Sequence, residues 1–126
     1  MEGLHLTADL HDCKCHPVLL TEEKQLAELC VSAVAAVGLT TVADRWHAFP
    51  SWQGQPGGVT GTVLLAESHL AIHTWPEKGS VTIDVYVCNF TTDNTGKARR
   101  LFGELERSFE PGRTRFQAIV RGGSDG

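Results

Sequence analysis

The stretch Ser80-Val-Thr-Ile-Asp-Val-Tyr-Val-Cys88 decides the fold. Aliphatic residues at positions 81, 83, 85 and 87 alternate with polar ones, and this period of two predicts a β-strand with one buried face. If helices cover the aliphatic face, then Asp84, Tyr86 and Cys88 point to the other face. The strand therefore predicts a sheet surface with polar side chains that is free to carry a functional site.

The segments around this strand predict the rest of the architecture. Five more segments are predicted to be strands, and they lie at residues 4–11, 40–49, 59–66, 69–75 and 114–121. One amphipathic helix begins at a Thr21 N-cap and ends near Gly38, and a second begins at Asp93 or Asn94 and ends before Pro111. Several consecutive strands with only two helices predict an α+β fold. We expect a two-layer sandwich, with a mainly antiparallel sheet, two helices on one face and a single domain over residues 1–126.

Length and composition set the size of the domain. The chain has 126 residues, of which 41% are hydrophobic and 21% charged, an ordinary balance for one globular domain. A domain of this size buries a modest fraction of its surface, so an enclosed site is more easily built between two copies than inside one. We therefore expect a homo-oligomer.

Charge and segment composition exclude several classes of partner. The net charge is −4 and there is no dense Lys/Arg run, so neither nucleic acid nor an anionic membrane is the expected partner. The N-terminus lacks the pattern of a signal peptide, and no apolar run approaches the ~18 residues of a membrane span. The four cysteines are not spaced as a disulfide framework, so we expect free thiols in a cytoplasmic protein.

Reactive side chains are concentrated in residues 66–77 and at Cys88, and three interpretations compete before any family is considered. His69 and His73 could hold a metal, because i, i+4 spacing puts them on one face, but no neighbouring third ligand completes the site. Ser68 could be a hydrolase nucleophile, yet the Gly-x-Ser-x-Gly elbow is missing. Alternatively, these polar residues are simply solvated or hydrogen-bonded within a strand.

A longer string adds a family resemblance. Glu67-Ser68-His69-Leu70-Ala71-Ile72-His73-Thr74-Trp75-Pro76-Glu77 closely resembles the self-processing segment of the prokaryotic S-adenosylmethionine decarboxylases. The resemblance continues through residues 47–50, 58–61 and 84–88 and spans nearly the whole chain. It implies a homodimeric, pyruvoyl-dependent decarboxylase of S-adenosylmethionine, which supplies the aminopropyl donor for spermidine synthesis.

The resemblance also implies how the cofactor is made. The Ser68 hydroxyl attacks the Glu67 carbonyl carbon, which converts the amide to an ester, and β-elimination then releases the upstream chain. The dehydroalanine left behind hydrolyses to a pyruvoyl group, so that residues 1–67 become a β chain and residues 68–126 an α chain. The pyruvoyl carbonyl forms a Schiff base with the substrate amine and accepts electrons when CO₂ leaves.

Individual roles follow from the resemblance. Thr60 and His73 match residues that assist processing, although the family more often has serine at the position of Thr60. His73 belongs to the catalytic set together with Ser68 and Cys88, and Cys88 matches a proton donor to the decarboxylated intermediate. Two further matches concern the substrate, because an aromatic that stacks on adenine and a carboxylate that binds the ribose hydroxyls correspond to Phe49 and Glu77.

Strand parity provides a structural test of self-processing. In a regular strand, Ser68 and His73 have opposite parity and lie on opposite faces of the sheet. The resemblance therefore requires a turn or kink at Glu67-Ser68, where strain is reasonable for a bond that rearranges. An unbroken strand through this point would argue against self-processing.

Some residues fall outside the implied site. The cluster His11–His16 has a Cys-x-Cys spacing without the second pair of a zinc ribbon, so we interpret it as a loop. Trp46 and Trp75 are expected to be packing residues. Trp52 lies in a Gly/Pro loop a few residues longer than the resemblance implies, close to the expected adenine pocket.

Two alternative functions stay open from the sequence alone. A pyruvoyl enzyme on the same scaffold could decarboxylate ornithine or arginine, although such substrates have no use for a stacking ring or a ribose anchor. An unprocessed, non-catalytic homologue is the other alternative, but it would have no reason to keep Ser68, His73 and Cys88 together.

Overall fold

The computed structural model describes residues 2–123. Its strands are β1 (Glu2–His11), β2 (Thr41–Ala48), β3 (Val59–Leu65), β4 (Ser68–Trp75), β5 (Ser80–Cys88) and β6 (Arg113–Gly122). Its helices are α1 (Val18–Thr21), α2 (Glu23–Ala36) and α3 (Thr95–Phe109), and a 3₁₀ turn spans Pro76–Lys78. None of the helices in this part of the chain is long and apolar enough to cross a membrane.

All six strands form one antiparallel sheet in the order β2-β3-β4-β5-β1-β6. The chain starts with β1, and α1 and α2 connect β1 to β2 at the far edge of the sheet. Strands β2 to β5 then form a meander, and α3 connects β5 to β6. The two helical crossovers place β1 between β5 and the edge strand β6. The predicted α+β sandwich with an antiparallel sheet is confirmed.

The core lies between one face of the sheet and the helices. Alternate residues of β1, β3, β4 and β5 are buried there, and the four aliphatic side chains of the β5 stretch are at most 1% exposed. The amphipathic helix α3 contributes Leu101, Leu105 and Phe109, each fully buried. The opposite face of the sheet, called the outer face below, carries the residues of the other parity, among them the half-buried Asp84 and Tyr86.

The helix boundaries differ from the predictions at one end. Thr21 is the last residue of the four-residue helix α1, which the sequence did not predict, and its hydroxyl donates to the Pro17 carbonyl rather than capping α2. The predicted Thr21 N-cap is therefore wrong, because a further turn of helix precedes α2. Gly38 ends α2 as predicted: its φ is +87°, and the N–H groups of Gly38 and Leu39 donate to the carbonyls of Ala35 and Val34.

Candidate active site

A two-residue turn of Ala66 and Glu67 joins β3 to β4, with Leu65 paired to Ser68 across it. Glu67 has φ +61°, in the left-handed region that a side chain rarely adopts. Holding a residue there costs on the order of 1 kcal/mol. The chain therefore breaks its strand at the Glu67-Ser68 bond, and the predicted kink is confirmed.

Ser68 and Cys88 are directly linked. The Cys88 backbone N–H donates to Ser68 Oγ at 3.1 Å, and the Cys88 carbonyl accepts from Asn94 Nδ2 at 2.9 Å. Asn94 is itself fixed, because its backbone N–H donates to Asn89 Oδ1 at 2.7 Å. The structure thus brings together Glu67, Ser68 and Cys88, called the processing group below, at the start of β4 and the end of β5.

The other predicted site residues gather around one cavity of about 870 Å³ at the opposite end of β4. Its lining includes Phe49, Thr60, His73 and Glu77, called the pocket group below. Thr60 and His73 are paired across β3 and β4, and Thr60 Oγ1 is hydrogen-bonded to His73 Nδ1. The Phe49 ring packs edge-on against His47, with centroids 4.7 Å apart. The structure therefore unites four of the predicted residues, although they are scattered over almost thirty positions of the sequence.

The two groups do not meet within one chain. Ser68 and His73 are separated by five positions of the continuous strand β4, which corresponds to about 17 Å. Their side chains also have opposite parity, since Ser68 shares its parity with the buried Leu70 and Ile72 while His73 is exposed on the outer face. The kink lies before Ser68 and leaves this separation unchanged.

The three tryptophans have different surroundings: one packs against the core and two line the cavity. Trp46 packs against the core over Gly61, where a Cβ would overlap its indole, in agreement with its predicted packing role. Trp75 instead is 38% exposed and lines the cavity beside His73, with ring centroids 5.9 Å apart, so it is not part of the core of this chain. Its shared parity with His73 on β4 was the signal that could have placed it there. Trp52 also lines the cavity.

A second polar cluster lies on the outer face and was not predicted as a group. His5 Nε2 is 3.1 Å from Asp84 Oδ1, and the His5 and His69 rings both lie near Tyr86, at 6.1 and 5.7 Å between centroids. Arg121 stands over the same Tyr86 ring at 5.2 Å. Burial, with the neighbouring His5, lowers the pKa of His69. The cluster arises because β1, β4 and β5 are neighbours, an order that their sequence separation hides.

The arrangement of side chains bears on the two possible metal sites, one at His69 and His73 and one in the cluster His11–His16. Within residues 2–123 there is no group of three or more His, Cys, Asp or Glu side chains arranged to hold a metal ion. Most of the cluster His11–His16 forms the loop that leaves β1, in agreement with the loop interpretation. There the N–H groups of Cys13 and Lys14 donate to the carbonyls of Gly79 and Glu110, both at 2.9 Å. Burial raises the pKa of the Cys13 thiol to about 11.

Comparison with known proteins identifies relatives across nearly the full length. Residues 4–122 match the S-adenosylmethionine decarboxylase family. The S-adenosylmethionine decarboxylase proenzyme of Aquifex aeolicus (strain VF5) is 38% identical over 120 residues, covering 95% of this chain and 81% of that protein. That of Archaeoglobus fulgidus is 37% identical over 120 residues, covering 95% and 97%. The crystal structure of the adenosylmethionine decarboxylase from Aquifex aeolicus VF5 superposes with a TM-score of 0.83 at 35% identity, covering 97% of this chain and 92% of that one.

Proposed function

This chain belongs to the S-adenosylmethionine decarboxylase family, and we propose that it is a proenzyme that cleaves itself at Glu67-Ser68 and then decarboxylates S-adenosylmethionine. Decarboxylated S-adenosylmethionine serves as the aminopropyl donor for spermidine. The observation that carries the proposal is the strained turn at the scissile bond, with Glu67 at φ +61° and Ser68 directly after it.

The bonds made and broken in self-cleavage belong to two residues that are adjacent along the chain. The Ser68 oxygen forms a bond to the Glu67 carbonyl carbon, the Glu67-Ser68 C–N bond breaks, and the freed nitrogen takes up a proton. Loss of the Ser68 α-proton then expels the Glu67 carboxylate, which leaves residues 1–67 as one chain. Addition of water to the resulting dehydroalanine releases ammonia and leaves a pyruvoyl group at the start of residues 68–126. The Cys88 N–H that donates to Ser68 Oγ orients this oxygen at the turn.

The pyruvoyl group supplies an electron sink for the carbanion left when CO₂ departs. Cys88 is the residue we propose as proton donor, because its backbone is hydrogen-bonded to the side chain of the residue that becomes the cofactor. In the uncleaved chain two backbone contacts restrain Cys88, one to Ser68 and one to Asn94, and they place its backbone beside position 68.

The pocket group supports recognition of an adenosyl substrate. The cavity of about 870 Å³ falls in the range of small-molecule sites. Phe49, 52% exposed, offers a ring for stacking on adenine, and Glu77 offers a carboxylate for the ribose hydroxyls. Ornithine and arginine contain neither a base nor a ribose, so this lining favours S-adenosylmethionine over the basic amino acids.

We propose that each active site is shared between two copies of the chain. The separation of about 17 Å between Ser68 and His73, on opposite faces of β4, prevents one chain from joining its own processing and pocket groups. A twofold homodimer would remove the difficulty if the processing group of one copy met the pocket group of the other, which symmetry would repeat at a second site. The helices leave the outer face uncovered. This face carries the exposed side chains of Leu64, Ile119 and His73. A partner on this face would bury them. We also propose a cytoplasmic location, as the sequence predicts.

Mass spectrometry and a CO₂ assay test the proposal together. Purified protein is expected to show two fragments divided at Glu67-Ser68, the second beginning with pyruvoyl, and to release CO₂ from S-adenosylmethionine. Ser68→Ala is expected to stay intact and inactive, whereas Ser32→Ala, an exposed serine of α2, should behave like the unsubstituted protein. CO₂ release from ornithine or arginine instead would contradict the substrate assignment. An intact, inactive unsubstituted protein would contradict the proposal as a whole.

A further inference from the structure

The loop of residues 50–57, called the Trp52 loop below, forms one wall of the cavity. It supplies five of the thirteen lining residues, and the pocket group supplies four of the others. Its tip carries Trp52, whose side chain is 73% exposed and is in ring contact with no other aromatic in residues 2–123. An indole held in solvent at the mouth of a largely apolar cavity leaves a large apolar area uncovered, which a bound ligand could bury.

The backbone that carries this indole is held in a defined conformation. Trp52 and Gln55 exchange two N–H···O bonds of 2.9 and 3.0 Å, which close a miniature hairpin around Gln53 and Gly54. Both central residues have positive φ, +51° and +76°, the pattern of a type I′ turn. Within residues 2–123, four non-glycine residues have positive φ. Gln53 is one of them, and Glu67 at the scissile turn is another.

The base of the loop is equally restrained. The Phe49 N–H donates to the Gly58 carbonyl at 2.9 Å, so the two ends of the loop are joined by a hydrogen bond. At Gly57 a Cβ would overlap the Phe49 carbonyl, and at Gly58 it would overlap the carbonyl of Thr74. Only glycines permit this close approach. The loop is therefore restrained at its base and at its tip. Phe49, which directly precedes the loop, and Trp52, at its tip, line the same cavity.

We propose that Trp52 is a specificity residue that stacks on the planar nucleobase of the substrate, as a second aromatic beside Phe49. The inference rests on the proposed function, since it takes an adenosyl compound as the ligand. A ring on a restrained backbone, with only two side-chain torsions left to fix, loses little conformational freedom on binding, so most of the stacking and burial energy contributes to affinity. A residue that stacks on the base contacts the same group in the substrate and in the transition state, so Trp52 acts on substrate binding rather than on the chemical step.

Two measurements test the role of Trp52. The first is calorimetric binding of 5′-methylthioadenosine, which has the base and ribose but no amine that could react. Trp52→Ala is expected to weaken this binding about tenfold, and Trp52→Phe, which restores a ring, to recover most of it. Val42→Ala is the matched control, because Val42 is 66% exposed and lies outside the cavity lining. The second measurement is steady-state kinetics per cleaved site, where Trp52→Ala should raise KM for S-adenosylmethionine about tenfold and change kcat less than about threefold.

The outcomes separate this inference from the proposed function. If the unsubstituted enzyme releases CO₂ from S-adenosylmethionine and Trp52→Ala binds 5′-methylthioadenosine within about twofold of it, the stacking role is overturned. Dissociation of a dimer by Trp52→Ala in sedimentation, without a change in binding, would assign the indole to a subunit contact and also overturn it. Tight, Trp52-dependent binding with no CO₂ release would retain the nucleobase site and reject the decarboxylase.

Discussion

Mixing two inactive variants tests whether the active site is shared between copies. Ser68→Ala removes the nucleophile and His73→Ala removes the imidazole of the pocket group, so each variant alone is expected to stay uncleaved. Along β4 these positions are about 17 Å apart and on opposite faces, a gap that no side-chain rotamer closes. In a mixed dimer, however, the His73→Ala chain still has Ser68, and the Ser68→Ala chain still offers His73 to it. One of the two sites is then complete.

The expected yield follows from random pairing. Equal co-expression gives about half mixed dimers, each with one complete site, so about one quarter of all chains should be cleaved. Every cleaved chain should carry the His73→Ala substitution, which differently tagged variants and mass spectrometry of the fragments would reveal. Sedimentation first verifies that mixed dimers form. If they form and no chain is cleaved, or if cleavage falls equally on both variants, the shared site is refuted.

Two further predictions concern strain and pH. Glu67→Gly should relieve the left-handed strain, stabilising the uncleavable Ser68→Ala protein by about 1 kcal/mol in denaturant unfolding and slowing cleavage when Ser68 is present. Glu110→Gly is the control, because Glu110 has φ +49° after α3, and it should give a similar stabilisation without slowing cleavage. Equal cleavage rates for Glu67→Gly and Glu110→Gly would show that the strain at Glu67 does not promote cleavage. For pH, burial and His5 lower the pKa of His69, so the unfolded chain binds a proton more readily than the folded one. Stability should therefore fall as pH drops below the ordinary histidine value of about 6.5, and the Tm of His69→Gln should fall less between about pH 7.5 and 5. Identical Tm profiles would contradict this.

Period-two patterning was sufficient to predict β1, β5 and β6 and the buried face of β5, because antiparallel strands with one covered face repeat every second residue. Sequence could not reveal that β1 pairs with both β5 and β6, since that pairing joins residues such as His5 and Asp84 that lie far apart in the chain. It also missed α1, whose single turn is too short to show helical periodicity.

The predicted site residues illustrate the same limit. Parity already separated Ser68 from His73, and the structure shows that the turn at Glu67 does not bring them together. The division into a processing group and a pocket group became visible only with the register of β3, β4 and β5, which sets the distance between the two ends of β4. Loop residues such as Trp52 follow no period, so only their position around the cavity reveals them.

The position of the scissile bond explains how the fold can survive its own cleavage. The bond lies at the two-residue turn between β3 and β4, so cutting it leaves the rungs from Thr60-His73 to Leu64-His69 in place, and only the last rung, Leu65-Ser68, loses the N–H of residue 68. After cleavage β4 still pairs with β5 on its other side, and its Leu70 and Ile72 remain fully buried beneath the helices. We therefore expect the two chains proposed to form to stay together through sheet hydrogen bonds and core packing, without a disulfide, since all four cysteines are free thiols. Because the new chain end is released from the strained turn and from its N–H in the last rung, we expect residue 68 to gain freedom to face a substrate while the rest of β4 stays fixed.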